Sequence, residues 1–148
     1  IYPYLKEVEK LYAMSPEELN QRNEKRFLEI FHRAYDKSPF YRKLYTEAGI
    51  RKEDITSLTD IKKLPVVTKD MVKQHANEML TVPKRKVRKG NTSGTTGTPL
   101  SVYSDWKSIW MVQAYLYCTR KRYGFTYGQR FVSLRGHLDK NNLSLKIH

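Results

Sequence analysis

The run Asn91-Thr92-Ser93-Gly94-Thr95-Thr96-Gly97-Thr98-Pro99-Leu100 constrains this chain more than any other stretch. From Thr92 to Thr98 every residue is a glycine or carries a hydroxyl, and Pro99 closes the run. The glycines let the backbone turn through conformations closed to other residues and bring its N–H groups close to a ligand. Successive N–H groups in such a turn form a concavity that binds anions, and the hydroxyls add rotatable donors. The same composition also describes a plain surface loop. The elements on either side decide between the two readings.

Upstream, the chain reads as helices. Ser15-Pro16-Glu17-Glu18 is a helix start, with Ser15 as N-cap, Pro16 in the first turn and Glu18 completing a capping box. Leu19, Phe27, Leu28, Ile30, Phe31, Ala34 and Tyr35 then form a helical stripe. Ser38-Pro39 repeats the start signal, with Phe40, Tyr41, Leu44, Tyr45 and Ala48 as a second stripe and Gly49 as its stop. Thr59 is placed to cap a short helix through Leu64, and Thr68 another over Lys69–Glu78.

Downstream, Val82–Thr92 reads as extended and Leu100–Tyr103 as strand-like. Ser104 or Asp105 can cap a helix from Trp106 to about Arg122, with Trp106, Ile109, Trp110, Ala114, Tyr117 and Cys118 inward. Gly124 and Gly128 bracket a turn, and Phe131–Leu134 reads as a buried strand. The expected fold class is therefore α/β, with a helical region over residues 1–80. Residues 81–148 form a strand–loop–strand–helix–strand segment, and both parts belong to one incomplete domain. The non-Met start at Ile1 and the alternation Leu143–Ile147 at the end fit a piece of a longer protein.

Charge is concentrated beside the loop. The 148 residues carry a net charge of +13. Residues 1–80 account for +2 of it and residues 81–148 for +11. Such an excess attracts polyanions, among them nucleotides and nucleic acid, or an acidic remainder of the same protein. No stretch is apolar for the roughly 20 residues that a membrane span needs. No signal peptide precedes residue 20. Cys118 is the only cysteine, which excludes an internal disulfide and fits a reducing cytoplasm. A buried structural thiol is the expectation for it, with a nucleophile as the alternative.

The order of residues excludes two common phosphate loops. A Walker A loop requires G-x-x-x-x-G-K-[ST] before a helix, and no lysine follows Gly97. A dinucleotide fingerprint opens a helix, whereas Gly94–Gly97 opens a strand.

Thr92-Ser93-Gly94-Thr95-Thr96-Gly97-Thr98-Pro99 resembles the phosphate-binding signature of adenylate-forming enzymes. Ser38-Pro39-Phe40-Tyr41, Ala48-Gly49-Ile50 and Leu64-Pro65-Val66-Val67-Thr68-Lys69 resemble the phenylacetate–coenzyme A ligase-like branch. That branch includes proteins of capsular polysaccharide biosynthesis. The resemblance runs over residues 10–137. One departure is that Thr98 and Leu100 stand where many relatives carry a lysine; Lys89 or Arg88 is the nearby candidate to supply that charge.

The resemblance implies the N-terminal part of an ATP-dependent carboxylate-activating ligase, which forms an acyl-adenylate and then a thioester. The cofactors implied are ATP and Mg2+, with coenzyme A among the acceptors. The partners implied are a small carboxylate substrate and the remainder of the enzyme. Thr92, Ser93, Gly94, Thr95, Thr96, Gly97 and Thr98 would hold the leaving pyrophosphate by positioning and charge stabilisation. The adenine pocket, the acidic ribose-binding residue and the catalytic lysine of the family lie beyond the matched region. No catalytic residue is therefore assigned, and the fragment alone is not expected to complete adenylation.

His137 after Arg135-Gly136 reads as an ordinary turn residue, and His32 and His75 show no metal-ligand spacing. The alternative function is a basic nucleic-acid-binding module. It would use Lys84–Lys89 and the aromatics Tyr103, Tyr115, Tyr117, Tyr123 and Tyr127 for stacking. No nucleic-acid motif accompanies them.

Overall fold

A computed structural model of the chain describes residues 1–92, 100–126, 128–130 and 132. Helix α1 spans Tyr2–Tyr12, α2 Pro16–Lys37, α3 Pro39–Glu47, α4 Lys69–His75 and α5 Trp106–Arg122. Short 3-10 turns cover Lys52–Asp54, Leu58–Lys63 and Lys84–Lys86. Strands β1, Val87–Asn91, and β2, Ser101–Asp105, form a two-stranded antiparallel sheet.

The start signals act as the sequence implies. Ser15 Oγ accepts from Glu18 N at 3.2 Å, and Glu18 Oε2 accepts from Ser15 N at 2.8 Å. Ser38 caps α3, accepting from Tyr41 N at 3.3 Å. Gly49 follows α3 with φ +70°, a left-handed turn that a side chain would strain. Asp105, rather than Ser104, caps α5 and accepts from Ser108 N at 2.7 Å.

Two apolar clusters hold these elements. Phe31 and Ala34 of α2 meet Tyr45 of α3 and Ile55, with Phe27, Leu28, Tyr41 and Leu64 around them. The aromatic rings of Phe31 and Tyr45 lie 5.3 Å apart, within the range in which ring pairs attract. The second cluster joins Val8 of α1 to Ala114 and Cys118 of α5, with Leu5, Met111 and Tyr117 beside them. Lys121 adds an exposed bond of 3.0 Å to Glu9, and Tyr12 Oη lies 3.2 Å from Thr119 Oγ1.

Several local expectations are corrected. Helix α1, for which no start is read from the sequence, follows Ile1, which makes no side-chain cap bond. The turn at Leu58–Lys63 starts after Ser57, not Thr59, because the Asp60 carboxylate accepts from Thr56 N and Ser57 N. Lys63 at 2.8 Å and these two N–H groups hold Asp60 far below the usual carboxylate range. Helix α4 ends at His75 rather than Glu78. Only Val87–Asn91 of the stretch 82–92 is strand, since Lys84–Lys86 forms a 3-10 turn.

Ile30, Ala48, Trp106 and Trp110 are exposed instead of inward. For α5 the reason is geometric. Its buried contact with α1 is made by Ala114 and Cys118, with Met111 and Tyr117 beside them, and Trp106 and Trp110 stand about two turns and one turn before Ala114 along α5. The fold is thus helix-rich with a small sheet, and a full α/β layer is not seen among the described residues. The strand expected at Phe131–Leu134 lies outside them apart from Val132, as do residues 143–147.

Candidate functional site

The candidate loop is carried by the β1–β2 hairpin. Its register pairs Val87 with Asp105, Arg88 with Ser104, Lys89 with Tyr103, Gly90 with Val102 and Asn91 with Ser101. One step further, Thr92 N donates to Leu100 O at 2.9 Å and Leu100 N donates to Thr92 Oγ1 at 3.1 Å. Ser101 Oγ adds a bond of 3.2 Å to Asn91 Oδ1. The two ends of the Gly/Thr run are therefore fixed side by side. Of Thr92, Ser93, Gly94, Thr95, Thr96, Gly97 and Thr98, only Thr92 falls among the described residues. Its hydroxyl oxygen is engaged by Leu100, while its O–H hydrogen can still be donated elsewhere.

The hairpin is anchored through the segment after α4. Tyr103 Oη donates to Asn77 Oδ1 at 3.0 Å. Next to Asn77, the Glu78 carbonyl accepts from Ser38 Oγ at 2.8 Å and from Phe40 N at 3.3 Å. The His75 ring lies 5.2 Å from Phe40, with Nδ1 3.1 Å from Glu78 Oε1. The bonds of Ser38-Pro39-Phe40-Tyr41 thus run to residues 75–78 and not to Thr92. They tie α3 to residues 75–78, and these tie to β2. Sequence reasoning found the motif but not this role, because the partner is a backbone carbonyl 40 residues away.

The two cations offered as charge for the loop stand on β1, before Thr92. Arg88 and Thr92 are four strand residues apart, about 13 Å. The Arg88 guanidinium lies 5.8 Å from the Trp106 ring centroid, at the opposite end of the hairpin from Thr92. Lys89 belongs to the other face, opposite Tyr103. Both are exposed.

The remaining candidates fall in ordinary places. Cys118 is buried at 4% exposure, and burial pushes its thiol up, away from the thiolate a nucleophile needs. His32 packs beside Phe31 with ring centroids 5.7 Å apart. No group of three His, Cys, Asp or Glu suited to a metal occurs among the described residues. No helix among them is long and apolar enough to cross a membrane. Tyr103 is bonded to Asn77, Tyr117 packs against α1, and Tyr115 and Tyr123 are exposed. Tyr127 and His137 lie outside the described residues.

No protein-family profile matches the chain. It is 26% identical over 133 residues to Protein CapK of Staphylococcus aureus, covering 90% of this chain and 29% of CapK. It is 32% identical over 105 residues to the phenylacetate-coenzyme A ligase of Aromatoleum evansii, covering 70% of this chain and 24% of that enzyme. Among solved structures, a 2-hydroxyisobutyryl-CoA ligase in complex with 2-HIB-AMP and CoA superposes with a TM-score of 0.54 at 28% identity. That match covers 66% of this chain and 22% of the ligase. The chain therefore spans less than a third of the relatives it matches. Within that span it belongs with the phenylacetate–coenzyme A ligase-like and CapK branch of the adenylate-forming enzymes.

Proposed function

We propose that these residues form part of an ATP-dependent carboxylate ligase, with the run Thr92–Thr98 holding the β- and γ-phosphates that leave as pyrophosphate. The observation that carries this reading is the hairpin. A run built only of glycines and hydroxyl residues is held between two strands in fixed register and closed at its base by Thr92 and Leu100. In this proposal the fixed ends let the run present its N–H and O–H donors to the phosphates, and donors placed before charge develops lower a barrier. Ser93, Thr95 and Thr96 supply hydroxyls in this proposal, and Gly94 and Gly97 permit the turn.

ATP is the nucleotide, Mg2+ shares the charge of its phosphates, and coenzyme A or another thiol accepts the acyl group. The 2-hydroxyisobutyryl-CoA ligase, whose complex holds an acyl-AMP and CoA, supports the choice of reaction. The rest of a large α/β domain, and with it the acid pocket, is assigned to polypeptide outside these residues. A cytoplasmic location and service to polysaccharide biosynthesis, the latter suggested by the likeness to CapK, complete the proposal.

The test is carboxylate-dependent ATP–pyrophosphate exchange by the full polypeptide over a panel of aromatic, hydroxy and sugar acids. Exchange that requires one class of acid is the expected result. Absence of exchange with every acid, together with absence of ATP binding, overturns it.

A further inference from the structure

A cleft lined mostly by cations lies at the other end of the hairpin from Thr92. Helix α2 carries two faces. One packs Phe27, Phe31 and Ala34 into the core with α3. The other runs Arg22, Arg26, Glu29, Arg33, spaced four, three and four residues, and so forms one line along the helix. This line borders a cleft of about 580 Å³ shared with α1 and the first turns of α5. That volume lies within the roughly 300–1,000 Å³ of small-molecule sites.

The charges across the cleft do not balance. Arg22, Lys25, Arg26, Arg33 and Lys107 line it with only Glu7, Glu29 and Asp105. Arg26 is taken by Glu29 at 2.9 Å. Asp105 is engaged by Ser108 N, and its carboxyl is held down by that bond and further by the nearby charges of Lys107 and Arg33. Arg22, half-buried, and Lys25 have no carboxylate within ion-pair distance among the described residues. Facing these cations, α5 presents Met111, Val112 and Tyr115 instead of acids.

We propose that this cleft binds an amphipathic phosphate, with the phosphoryl group on Arg22 and Lys25 and an aromatic or alkyl group on Met111 and Tyr115. Arg22 and Arg33 are eleven helical residues apart, about 16 Å, which leaves room for both halves of such a ligand. The site is separate from the Gly/Thr run. Asp105 at its rim and Leu100 at the loop are five strand residues apart, about 17 Å. It therefore stands or falls independently of the ligase reading.

The test is a ¹⁵N-resolved NMR titration of the chain with phenyl phosphate, with inorganic phosphate and phenol as the charge-only and ring-only controls. Phenyl phosphate is expected to move amides of residues 22–33 and 107–115, and to bind at least tenfold more tightly than either control. The double variant Arg22→Gln/Lys25→Gln should weaken phenyl phosphate at least tenfold, with unchanged urea unfolding. Tyr115→Ala should reduce phenyl phosphate to the affinity of inorganic phosphate and leave the latter unchanged. Shifts scattered over the basic surface, equal binding by the variants, or no preference over phosphate would each overturn the assignment.

Discussion

Replacing Ser38 by alanine probes the joint on which the hairpin rests. The side chain is 1% exposed and makes two bonds. It accepts from Tyr41 N at 3.3 Å as the N-cap of α3, and it donates to Glu78 O at 2.8 Å. The first turn of α3 is otherwise fully accounted for. Pro39 has no N–H, Phe40 N donates to Glu78 O, and Arg42 N donates to Ser38 O. Loss of the hydroxyl leaves Tyr41 N as an orphan donor and removes one of the two bonds to Glu78 O.

An N-cap is worth about 1 kcal/mol. A net hydrogen bond adds about 1 kcal/mol, so Ser38→Ala should cost about 2 kcal/mol. For a domain of this size that is a fall in Tm of about 5–8 °C. Ser15→Ala is the internal control. It removes the exposed cap of α2 with no long-range bond and should cost about 1 kcal/mol. Urea unfolding of the two variants, with m unchanged, measures the difference directly. If Ser38→Ala costs no more than Ser15→Ala, the tie between α3 and residues 75–78 contributes nothing, and the account of the upstream motif fails.

Three further outcomes follow from single residues. Cys118, buried between α1 and α5 with its thiol pushed up, should react with an aromatic disulfide reagent only as fast as the protein opens. Immediate stoichiometric reaction of the native chain would refute its placement. Burial, with Tyr41 adding to it, pushes Tyr45 up to about 12, so in ultraviolet titration one of the eleven tyrosines should ionise late. Because the folded state disfavours its phenolate, the stability Tyr45 contributes is complete below pH 10. It is lost as the pH rises from there through about 12. Thr92→Val should cost about 1 kcal/mol by removing the acceptor of Leu100 N, while Thr92→Ser should cost less, read by the same urea series.

The helix starts were legible because they are local: a capping box needs only Ser15 and Glu18, three residues apart. Helix α1 was less so, since no polar residue caps it and its reason for being helical is Val8 packed on Ala114 and Cys118, far away in sequence. The same nonlocality misplaced Trp106 and Trp110. Periodicity puts both on the side of Ala114, and only the contact with α1 shows how far along α5 the burial extends. For the site, the sequence named the loop and its strand neighbours. It did not show that Arg88 is drawn over Trp106, nor that Asn77 holds Tyr103, because both are contacts between elements.

The most direct test of the central claim is pyrophosphate exchange compared between the full polypeptide and its Gly97→Val variant. The proposed role of the loop predicts that the variant loses at least 100-fold in exchange, about 2.7 kcal/mol of transition-state stabilisation, with its unfolding midpoint unchanged. Exchange at the wild-type rate in a folded Gly97→Val variant would contradict it.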